Sequence, residues 1–576
     1  MLDCVVKGGT VVDGTGSPGV QADIGIQDGR VVAVGEVAEA ASRTIDADGL
    51  VVTPGFVDIH THYDAQIKWD PGLAPSVLHG VTTVVGGNTG FTIAPIRDEH
   101  ADYMRRLLSR VEGMPLTALE VGVEWGTWSS YGEYLDELEG TLTVNAGFLA
   151  GHSAIRRIAM GEQAVGQQAT EDQMLVMERL LDESLAAGAL GFSSSNGRAH
   201  TDGYGDPVPS RWASEDELLR LCRVVREHEG SVLEYIPSSP PEEADRLTAM
   251  ALTADRPLNW NVLTVAAGRI ETVRAQMAVS DHAAARGATV RCLTVPMVVA
   301  LRYSFATGFG LEIMPNWGPV FKLPLAERLV ALADPAVRDR MRAGATEARK
   351  DPRNAELSDY GSFLVEVTPS PGNQDALGRR IDQVAAERGV DPLDALCDIV
   401  IKDELQTVLR PRASGDDDES WALRPDIWRD PRVVLGGSDA GAHLDMMTSF
   451  SYFTTMLGES VRERQLMPIE EAVHLLVDVP SRLYGLKGRG RIAEGWFADL
   501  VVLDPDTVAT GPVQTRHDLP GGAPRLFADA VGIEHVLVNG VEVVTHGQYT
   551  GDRGGTVLRS GRDTETVHAN VGVPGR

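Results

Sequence analysis

The chain has 576 residues, of which 43% are hydrophobic and 23% are charged, and its formal net charge is −30. A chain of this length can form one large domain and one small one. No apolar window of about 18 residues suggests a membrane span, and the negative charge would repel a phosphate backbone, so we expect neither a membrane nor a nucleic acid as a partner.

The N-terminal segment "MLDCVVKGGTVVDGTG" lacks the basic start and the apolar stretch of a signal peptide. We therefore expect a cytoplasmic protein. The four cysteines are far apart and form no CxxC motif, which argues against a disulfide framework and against a thiolate zinc site. They are Cys4, Cys222, Cys292 and Cys397.

Both ends of the chain are predicted to be rich in β-strands. Residues 1–53 contain short apolar runs separated by tight turns, and the same pattern returns at residues 490–560, which include an Asn-Gly turn. We expect these two segments to form one small β-sandwich, followed by a C-terminal tail at residues 561–576.

The middle of the chain, residues 54–489, alternates strand-like apolar runs with amphipathic helical stretches. Eight strand ends are predicted, which indicates the α/β class and a closed (β/α)₈ TIM barrel. They lie in "VTPGFVDIHTH", "TTVVGGNTG", "NAGFLAGHSAI", "GALGFSSS", "SVLEYI", "LNWNVL", "TVRCLTV" and "RVVLGGSDAGAH". Because the connection before the last strand is far longer than usual, we expect an insertion at about residues 297–430 that reaches over the barrel mouth.

Two histidines follow the first barrel strand in "DIHTHYD". Side chains at i and i+2 of a strand point to the same side, so His60 and His62 are predicted to converge. Asp439 follows the last strand, which is a neighbour of the first strand in a closed barrel. Two imidazoles and one carboxylate are suitable ligands for Zn²⁺ or a similar divalent ion. The alternative is that each histidine makes only a strand-end hydrogen bond.

Six segments follow one another along the chain: "PGFVDIHTHYD", "HGVTTVVGGNTGFTIAP", "FLAGHSAIR", "GALGFSSS", "GGSDAGAH" and "RIAEGWFADLVVLD". In this order they resemble the amidohydrolase superfamily, specifically its N-acyl-D-amino-acid deacylase (D-aminoacylase) branch, up to about residue 560. The resemblance implies a metal-bearing barrel with a small β-sandwich built from both chain ends. It also implies that His60 and His62 bind the metal, and that Asp439 binds it and transfers the proton of the attacking water.

The sequence departs from the pattern of this branch at three ligand positions. Thr89, in "GNTG", stands where D-aminoacylases have a cysteine ligand, and Glu234 and Asn261 are the polar residues nearest to the places of two expected histidines. No lysine occurs between Lys68 and Lys322, which excludes the carboxylated lysine that bridges two metals in hydantoinase-like relatives. We expect one divalent metal ion, with zinc as the expected metal and Glu234 as a further candidate ligand. The alternative for Glu234 is a pair with an arginine.

Further residues are candidates for contacting the substrate or supporting the metal ligands. Asp64 could orient a metal-bound histidine. His152 and Ser153 are expected to end the third strand, and an arginine is needed if the substrate carries a carboxylate. Each candidate has a structural alternative, such as a strand-end hydrogen bond or a solvated loop. The complete set is Asp64, Thr89, His152, Ser153, Ser194, Arg198, His200, Asn261, Arg302 and His443.

These observations predict a metal-dependent amidohydrolase that cleaves a C–N amide bond of a small molecule by a metal-activated water, with Asp439 as the catalytic residue. Two alternatives remain. The loss of one cysteine and two histidine ligands could reflect an enzyme repurposed for non-hydrolytic chemistry on a small natural product, or the barrel could be a non-catalytic binding protein. A homo-oligomer is left open.

Overall fold

The computed structural model describes residues 1–308, 310–350 and 355–570. It divides into two compact units. The first consists of Met1–Met297, Asp417–Ala442 and Ser449–Arg576, and the second of Val298–Asp416 and His443–Thr448. The second unit overlaps the insertion expected at about 297–430. No helix in the described ranges is both long and apolar enough to span a bilayer.

The strands are numbered in chain order. They are β1 (Leu2–Val11), β2 (Val20–Gln27), β3 (Arg30–Gly35), β4 (Ala41–Asp46), β5 (Val51–Pro54), β6 (Phe56–Asp58), β7 (Val81–Gly86), β8 (Asn145–Phe148), β9 (Ala150–Gly151), β10 (Gly191–Ser195), β11 (Val232–Ile236), β12 (Leu258–Trp260), β13 (Val290–Thr294), β14 (Leu364–Val367), β15 (Val408–Arg410), β16 (Val433–Leu435), β17 (Leu500–Leu503), β18 (Ala509–Thr510), β19 (Gln514–Arg516), β20 (Arg525–Phe527), β21 (Ala530–Val531), β22 (Ile533–Val538), β23 (Val541–Thr545) and β24 (Gln548–Tyr549).

The helices are numbered in the same way. They are α1 (Asp98–Val111), α2 (Leu116–Gly122), α3 (Tyr131–Leu138), α4 (His152–Met160), α5 (Glu171–Ala186), α6 (Glu215–Arg226), α7 (Ala244–Ala254), α8 (Ile270–Ala284), α9 (Gly318–Phe321), α10 (Leu325–Ala333), α11 (Pro335–Ala348), α12 (Ala355–Ser358), α13 (Ile381–Arg388), α14 (Pro392–Lys402), α15 (Asp418–Arg429), α16 (Tyr452–Thr455), α17 (Ile469–Val473) and α18 (Val479–Leu483). Two further stretches, Met456–Glu463 and His474–Asp478, are π-helical.

Both ends of the chain contribute to one sheet, as the sequence predicted. Its strand order is β24-β23-β22-β17-β5-β1-β2-β3, and β4 also pairs with β1. The two chain ends meet where β5 lies antiparallel to β17, with Pro54 opposite Leu500 and Val51 opposite Leu503. Alternate residues of these strands, including Val52 and Val502, form a shared apolar core because side chains one pleat apart face the same side.

The predicted barrel is present and its strands are parallel. Strands β6, β7 and β8 form one run, and β9, β10, β11, β12, β13 and β16 form the other. Only Leu149 separates β8 from β9, so these two are one interrupted barrel strand. The third strand was expected to continue through His152 and Ser153, and that expectation was wrong. The strand stops at Gly151, and both residues open α4.

Backbone hydrogen bonds close the barrel between the segments that follow β6 and β16. The N–H of His62 donates to the carbonyl of Ala440 at 2.7 Å, and the N–H of Asp439 donates to the carbonyl of His60 at 3.2 Å. Between the two histidines, Thr61 turns the other way, and its hydroxyl donates to the carbonyl of Val85 at 2.9 Å. The alternation places His60 and His62 on one side, as their spacing predicts.

The second unit has an apolar core of its own, which includes Phe305, Trp317 and Phe363. The stretch "LPLAERLVALADPAVRDRMRAG" of this unit forms two helices, α10 and α11. The break occurs at Asp334, whose carboxylate accepts the N–H of Ala336 at 2.9 Å and caps α11. Pro335 is the first residue of α11, where its missing N–H costs nothing.

His79 lies just before β7, at the end of the barrel opposite the histidine pair, and is completely buried. Its Nδ1 lies 2.7 Å from Thr454 Oγ1 and its Nε2 lies 3.0 Å from the Ala528 carbonyl. Burial disfavours the charged imidazole, so the pKa of His79 falls to about 4 despite the carbonyl beside it. The His79 imidazole is therefore protonated near pH 6.5 in the unfolded chain, but only near pH 4 in the folded protein.

The contribution of His79 to stability should therefore be complete above about pH 6.5 and be lost as the pH falls toward 4, with a loss of about 2 kcal/mol at pH 5. We expect His79→Gln to be less stable than the parent protein at pH 7.5 by about 1 kcal/mol, because a hydrogen bond is lost. At pH 5 the deficit should vanish or reverse. Urea unfolding of both proteins in excess chelator at the two pH values measures this, and a deficit independent of pH would contradict it.

Candidate metal centre

Three side chains converge where the barrel closes. Asp439 Oδ1 lies 3.0 Å from His60 Nε2 and 3.5 Å from His62 Nε2. In the described part of the chain, these residues form the group of histidine, cysteine or acidic side chains that could hold a metal ion, with ligand atoms within 4.8 Å of one another. The sequence predicted this trio.

The local backbone aims the carboxylate at the histidines. Asp439 has a φ of 53°, a left-handed conformation that aspartate tolerates better than most residues. The neighbouring Ser438 hydroxyl accepts the N–H of Ala440 at 2.9 Å, which holds the turn after β16. The imidazoles of His60 and His62 are 0% and 3% exposed, whereas the Asp439 side chain is 34% exposed. Asp439 is therefore the member of the trio that solvent or a reactant can reach.

Several polar atoms around the trio fit a missing cation. Within the described ranges, Glu234 Oε1 and Asn261 Oδ1 are buried without a hydrogen-bond partner. Buried polar atoms are normally paired, and imidazole nitrogens and carboxylate oxygens are ligands for zinc and similar divalent ions. The residues present therefore fit a divalent metal ion.

The electrostatics of the two histidines differ. Burial lowers the pKa of His60 and outweighs the opposite influence of Asp439. Burial would also lower the pKa of His62, but the carboxylates of Glu112 and Asp439 outweigh it and raise this pKa to about 9. The two histidines in turn hold the pKa of Asp439 well below its usual value, against the effect of burial. Asp439 is thus ionised at neutral pH.

Two more carboxylates lie beside the histidines on the sides that face away from Asp439. Glu112 Oε1 lies 3.4 Å from His62 Nδ1, and Glu234 Oε1 lies 3.9 Å from His60 Nδ1. Burial raises the pKa of Glu112 to about 7 and that of Glu234 to about 8. At neutral pH and without a nearby cation, Glu112 would therefore be only partly ionised and Glu234 mostly protonated.

The three residues that replace the expected cysteine and histidines also lie at this centre. The backbone N–H of Thr89 donates to Glu234 Oε2 at 2.7 Å, and the Thr89 hydroxyl donates to Glu112 Oε1 at 3.4 Å. Asn261 Nδ2 lies 2.5 Å from His60 Nδ1 and 2.6 Å from His60 Nε2. The fold therefore brings Thr89, Glu234 and Asn261 together with the histidine pair.

Asp64 has a backbone partner instead of a histidine partner. Its Oδ2 accepts the N–H of Gly87 at 2.9 Å, and its carbonyl accepts the hydroxyl of Tyr134. The carboxylate that faces Nδ1 of His62 is that of Glu112, which the sequence-based prediction missed because it considered residues at strand ends. Glu112 directly follows helix α1. A glutamate at the end of an apolar helical face, before a glycine, is the signal that could have identified it.

His152 and Ser194 take part in a different buried network. His152 Nδ1 lies 2.8 Å from Ser194 Oγ, and His152 Nε2 lies 2.8 Å from Glu217 Oε1. Arg156 donates to both oxygens of Glu217 at 2.5 Å. Glu217 is delivered by the first turn of α6, where Ser214 caps the helix. This network joins β10 to the helices α4 and α6.

The remaining candidates of the barrel have local partners. The Ser153 hydroxyl accepts the N–H of Ser210 at 3.3 Å. His200 Nδ1 lies 2.6 Å from Ser195 Oγ, and its ring lies 5.3 Å from that of Phe91. Arg198 is exposed, and its carbonyl accepts a hydrogen bond from Arg211. A role of these residues in substrate contact stays a prediction.

Arg302 and His443 belong to the second unit. There the Arg302 guanidinium pairs with Glu366, with Nε 2.5 Å from Oε2. The carbonyl of His443 accepts the N–H of Met446 at 2.8 Å. Their predicted contribution to the site also stays a prediction.

The pattern of the Amidohydrolase family matches residues 43–544. The chain belongs to this family. This amidohydrolase is a hydrolase that acts on carbon–nitrogen bonds other than peptide bonds, and its centre of His60, His62 and Asp439 is suited to metal-dependent amide hydrolysis.

Relatives of this amidohydrolase span almost its full length. D-aminoacylase from Alcaligenes xylosoxydans xylosoxydans is 30% identical over 572 residues, which cover 97% of each chain. The solved N-acyl-D-glutamate deacylase from Bordetella bronchiseptica, complexed with zinc and a phosphonate inhibitor, has a TM-score of 0.63 at 26% identity and covers 97% of this chain and 100% of its own. A solved D-aminoacylase has the same TM-score, identity and coverage. For that enzyme, a binuclear metal center with one-metal activation and second-metal attenuation is described.

The network around Glu217 should support the fold and leave the metal centre unaffected. We expect Glu217→Gln to lower the free energy of unfolding by about 3 to 5 kcal/mol, because the buried guanidinium of Arg156 loses its countercharge. Metal content per folded chain should not change. Urea unfolding and elemental analysis measure the two quantities, and a variant of normal stability that has lost its metal would contradict this assignment.

Proposed function

We propose that this amidohydrolase cleaves the amide bond of a small molecule by the attack of water, with N-acyl-D-amino acids as the first substrate class to test. We further propose that it uses one divalent cation held by His60, His62 and Asp439. The observation that carries the proposal is that one carboxylate oxygen, Asp439 Oδ1, lies within 3.5 Å of the Nε2 atoms of both histidines.

The three residues of the trio have different roles because they differ in burial. His60 and His62 are enclosed, so their imidazoles are fixed in position and shielded from water. Asp439 is partly exposed and ionised, so it can accept a proton from the attacking water and deliver it to the leaving amine. A divalent cation at this centre supplies Lewis acidity toward the scissile carbonyl and toward water.

One cation is proposed because the second set of family ligands is altered. Thr89, Glu234 and Asn261 stand where the resemblance implies a cysteine and two histidines, and a hydroxyl and an amide are weak ligands for zinc. Zinc is the proposed metal, since the related N-acyl-D-glutamate deacylase was solved with zinc. The one-metal activation described for a D-aminoacylase supports a mononuclear enzyme.

Glu234 remains a proposed additional ligand. Its Oε2 accepts the N–H of Thr89, which leaves Oε1 for a further interaction. That oxygen lies beside His60 Nδ1, whereas Asp439 faces Nε2 of the same ring. The Glu234 side chain would therefore have to move to join the three main ligands.

We expect about one divalent metal ion per chain after reconstitution with zinc, cobalt or manganese and removal of the excess. The double variant His60→Ala/His62→Ala should bind none at this centre, because two of three ligands are gone. Elemental analysis gives the stoichiometry. His546→Ala serves as the control, since this histidine is exposed and directly follows β23, a strand of the sheet formed by both chain ends. Two tightly bound ions in the parent protein, or none, would contradict the proposed centre.

Asp439→Asn should lose activity more than it loses metal. The asparagine keeps one ligating oxygen but cannot accept a proton from water, so amide hydrolysis should fall by roughly 10²-fold or more. Turnover of N-acyl-D- and N-acyl-L-amino acids, measured together with metal content, tests this.

His60→Ala is the matched comparison, and it should lose metal and activity together. If Asp439→Asn hydrolyses amides at nearly the parent rate, Asp439 is not the proton carrier. A metal-loaded parent protein that binds amides of the panel without cleaving any of them would favour a binding barrel.

A further inference from the structure

Glu112 is an enclosed carboxylate that the proposed reaction does not use. It is 3% exposed and comes directly after helix α1, where its N–H donates to the carbonyl of Leu108 at 3.0 Å. Gly113 follows with a φ of 59°, a left-handed conformation that suits glycine and turns the chain away from the helix. The end of α1 thus delivers one carboxylate to the barrel interior.

The carboxylate of Glu112 faces the nitrogen of His62 that does not face Asp439. Glu112 Oε1 lies 3.4 Å from Nδ1, whereas Asp439 Oδ1 lies 3.5 Å from Nε2. A neutral imidazole carries one N–H and one lone pair on its two ring nitrogens. A carboxylate at Nδ1 favours the N–H there, and the lone pair is then on Nε2.

The Nδ1 atom of His62 is available to Glu112. Within the described ranges, this atom has no hydrogen-bond partner. Asp64 is the other carboxylate near this histidine in sequence, but its Oδ2 already accepts the N–H of Gly87. A ring nitrogen that is buried and unpaired, with a carboxylate 3.4 Å away, indicates an interaction that tightens when the other nitrogen binds its ligand.

Thr89 is compatible with Glu112 in a way that a cysteine ligand would not be. Its hydroxyl donates to the same Glu112 oxygen that faces His62. A thiolate at this position has no proton to donate and would place a second negative charge beside the carboxylate. The threonine therefore helps to hold Glu112 in place beside His62.

We propose that Glu112 is the positioning residue of His62. Its carboxylate accepts the Nδ1–H of His62 and so presents Nε2 to the cation that His60, His62 and Asp439 bind. The inference rests on the metal centre of the proposed function. It assigns Glu112 no contact with the substrate.

The test is the metal affinity of the full-length protein, measured by competition with a chelator. Glu112→Ala should weaken the binding of Zn²⁺ and Co²⁺ by about 10- to 100-fold, the range known for partners of metal-bound histidines. Glu112→Gln keeps an oxygen that can accept the N–H, so it should lose less affinity than the alanine variant. The visible absorption of bound Co²⁺ should shift in the Glu112 variants, because the orientation of one ligand changes.

Two matched variants separate positioning from a general loss of packing. Glu217→Gln removes an equally buried carboxylate outside the metal centre and should leave metal affinity and the Co²⁺ spectrum unchanged. Asp64→Asn removes the rival carboxylate and should also leave both unchanged. Parent-like affinity and spectrum in Glu112→Ala, or a loss confined to Asp64→Asn, would overturn the inference and leave the proposed function standing. A parent protein that binds neither metal would overturn both.

Discussion

The centre depends on how the barrel closes. The hydrogen bonds between His62 and Ala440, and between Asp439 and His60, join the segments after the first and last barrel strands. Residues almost 380 positions apart in the chain become neighbours, and the period of two along a strand then directs both imidazoles to the same side. A shift of this pairing by one residue would turn the histidines away from Asp439. The geometry of the metal ligands is therefore a property of backbone pairing.

The charges at this centre are unbalanced without a cation. Glu112, Glu234 and Asp439 bring three carboxylates to two imidazoles, and burial raises the pKa values of both glutamates to near neutrality or above. A divalent ion would lower the cost of ionising them, since its charge is the largest in the site. Metal binding and folding stability should consequently be coupled, because only the folded chain assembles the ligands.

The sequence was most informative where a residue's role follows from its place on a strand. His60, His62 and Asp439 could be predicted because their positions relative to β6 and β16 determine where their side chains lie. Thr89, Glu234 and Asn261 could be found as replacements at the ends of other strands. The barrel and the sheet from both chain ends followed from the apolar runs and turns.

The positions of other residues at or near the centre depend on how helices pack against the barrel, which the spacing of residues in the sequence does not reveal. Glu112 comes from the end of a helix, and its direction is set by how α1 packs on the barrel. The same holds for His152, whose place in a network with Ser194 and Glu217 depends on α4 and α6. His152 was also expected on a strand, whereas the strand stops at Gly151 and the histidine opens a helix.

The pairing of β5 with β17 has a consequence for the order in which the molecule can be built. Val51 is translated early, but its partner Leu503 is added only after about 450 further residues, which takes roughly 20 to 90 seconds at common rates of translation. During that time the edge of β5 that later pairs with β17 stays unpaired, and an unpaired strand edge is a surface prone to association with other chains. The first barrel strand, β6, is likewise synthesised long before the last barrel strand, β16, which closes the barrel beside it. Both structures are therefore completed only near the end of synthesis, and the strand edges that wait for their partners must be kept from other chains until then.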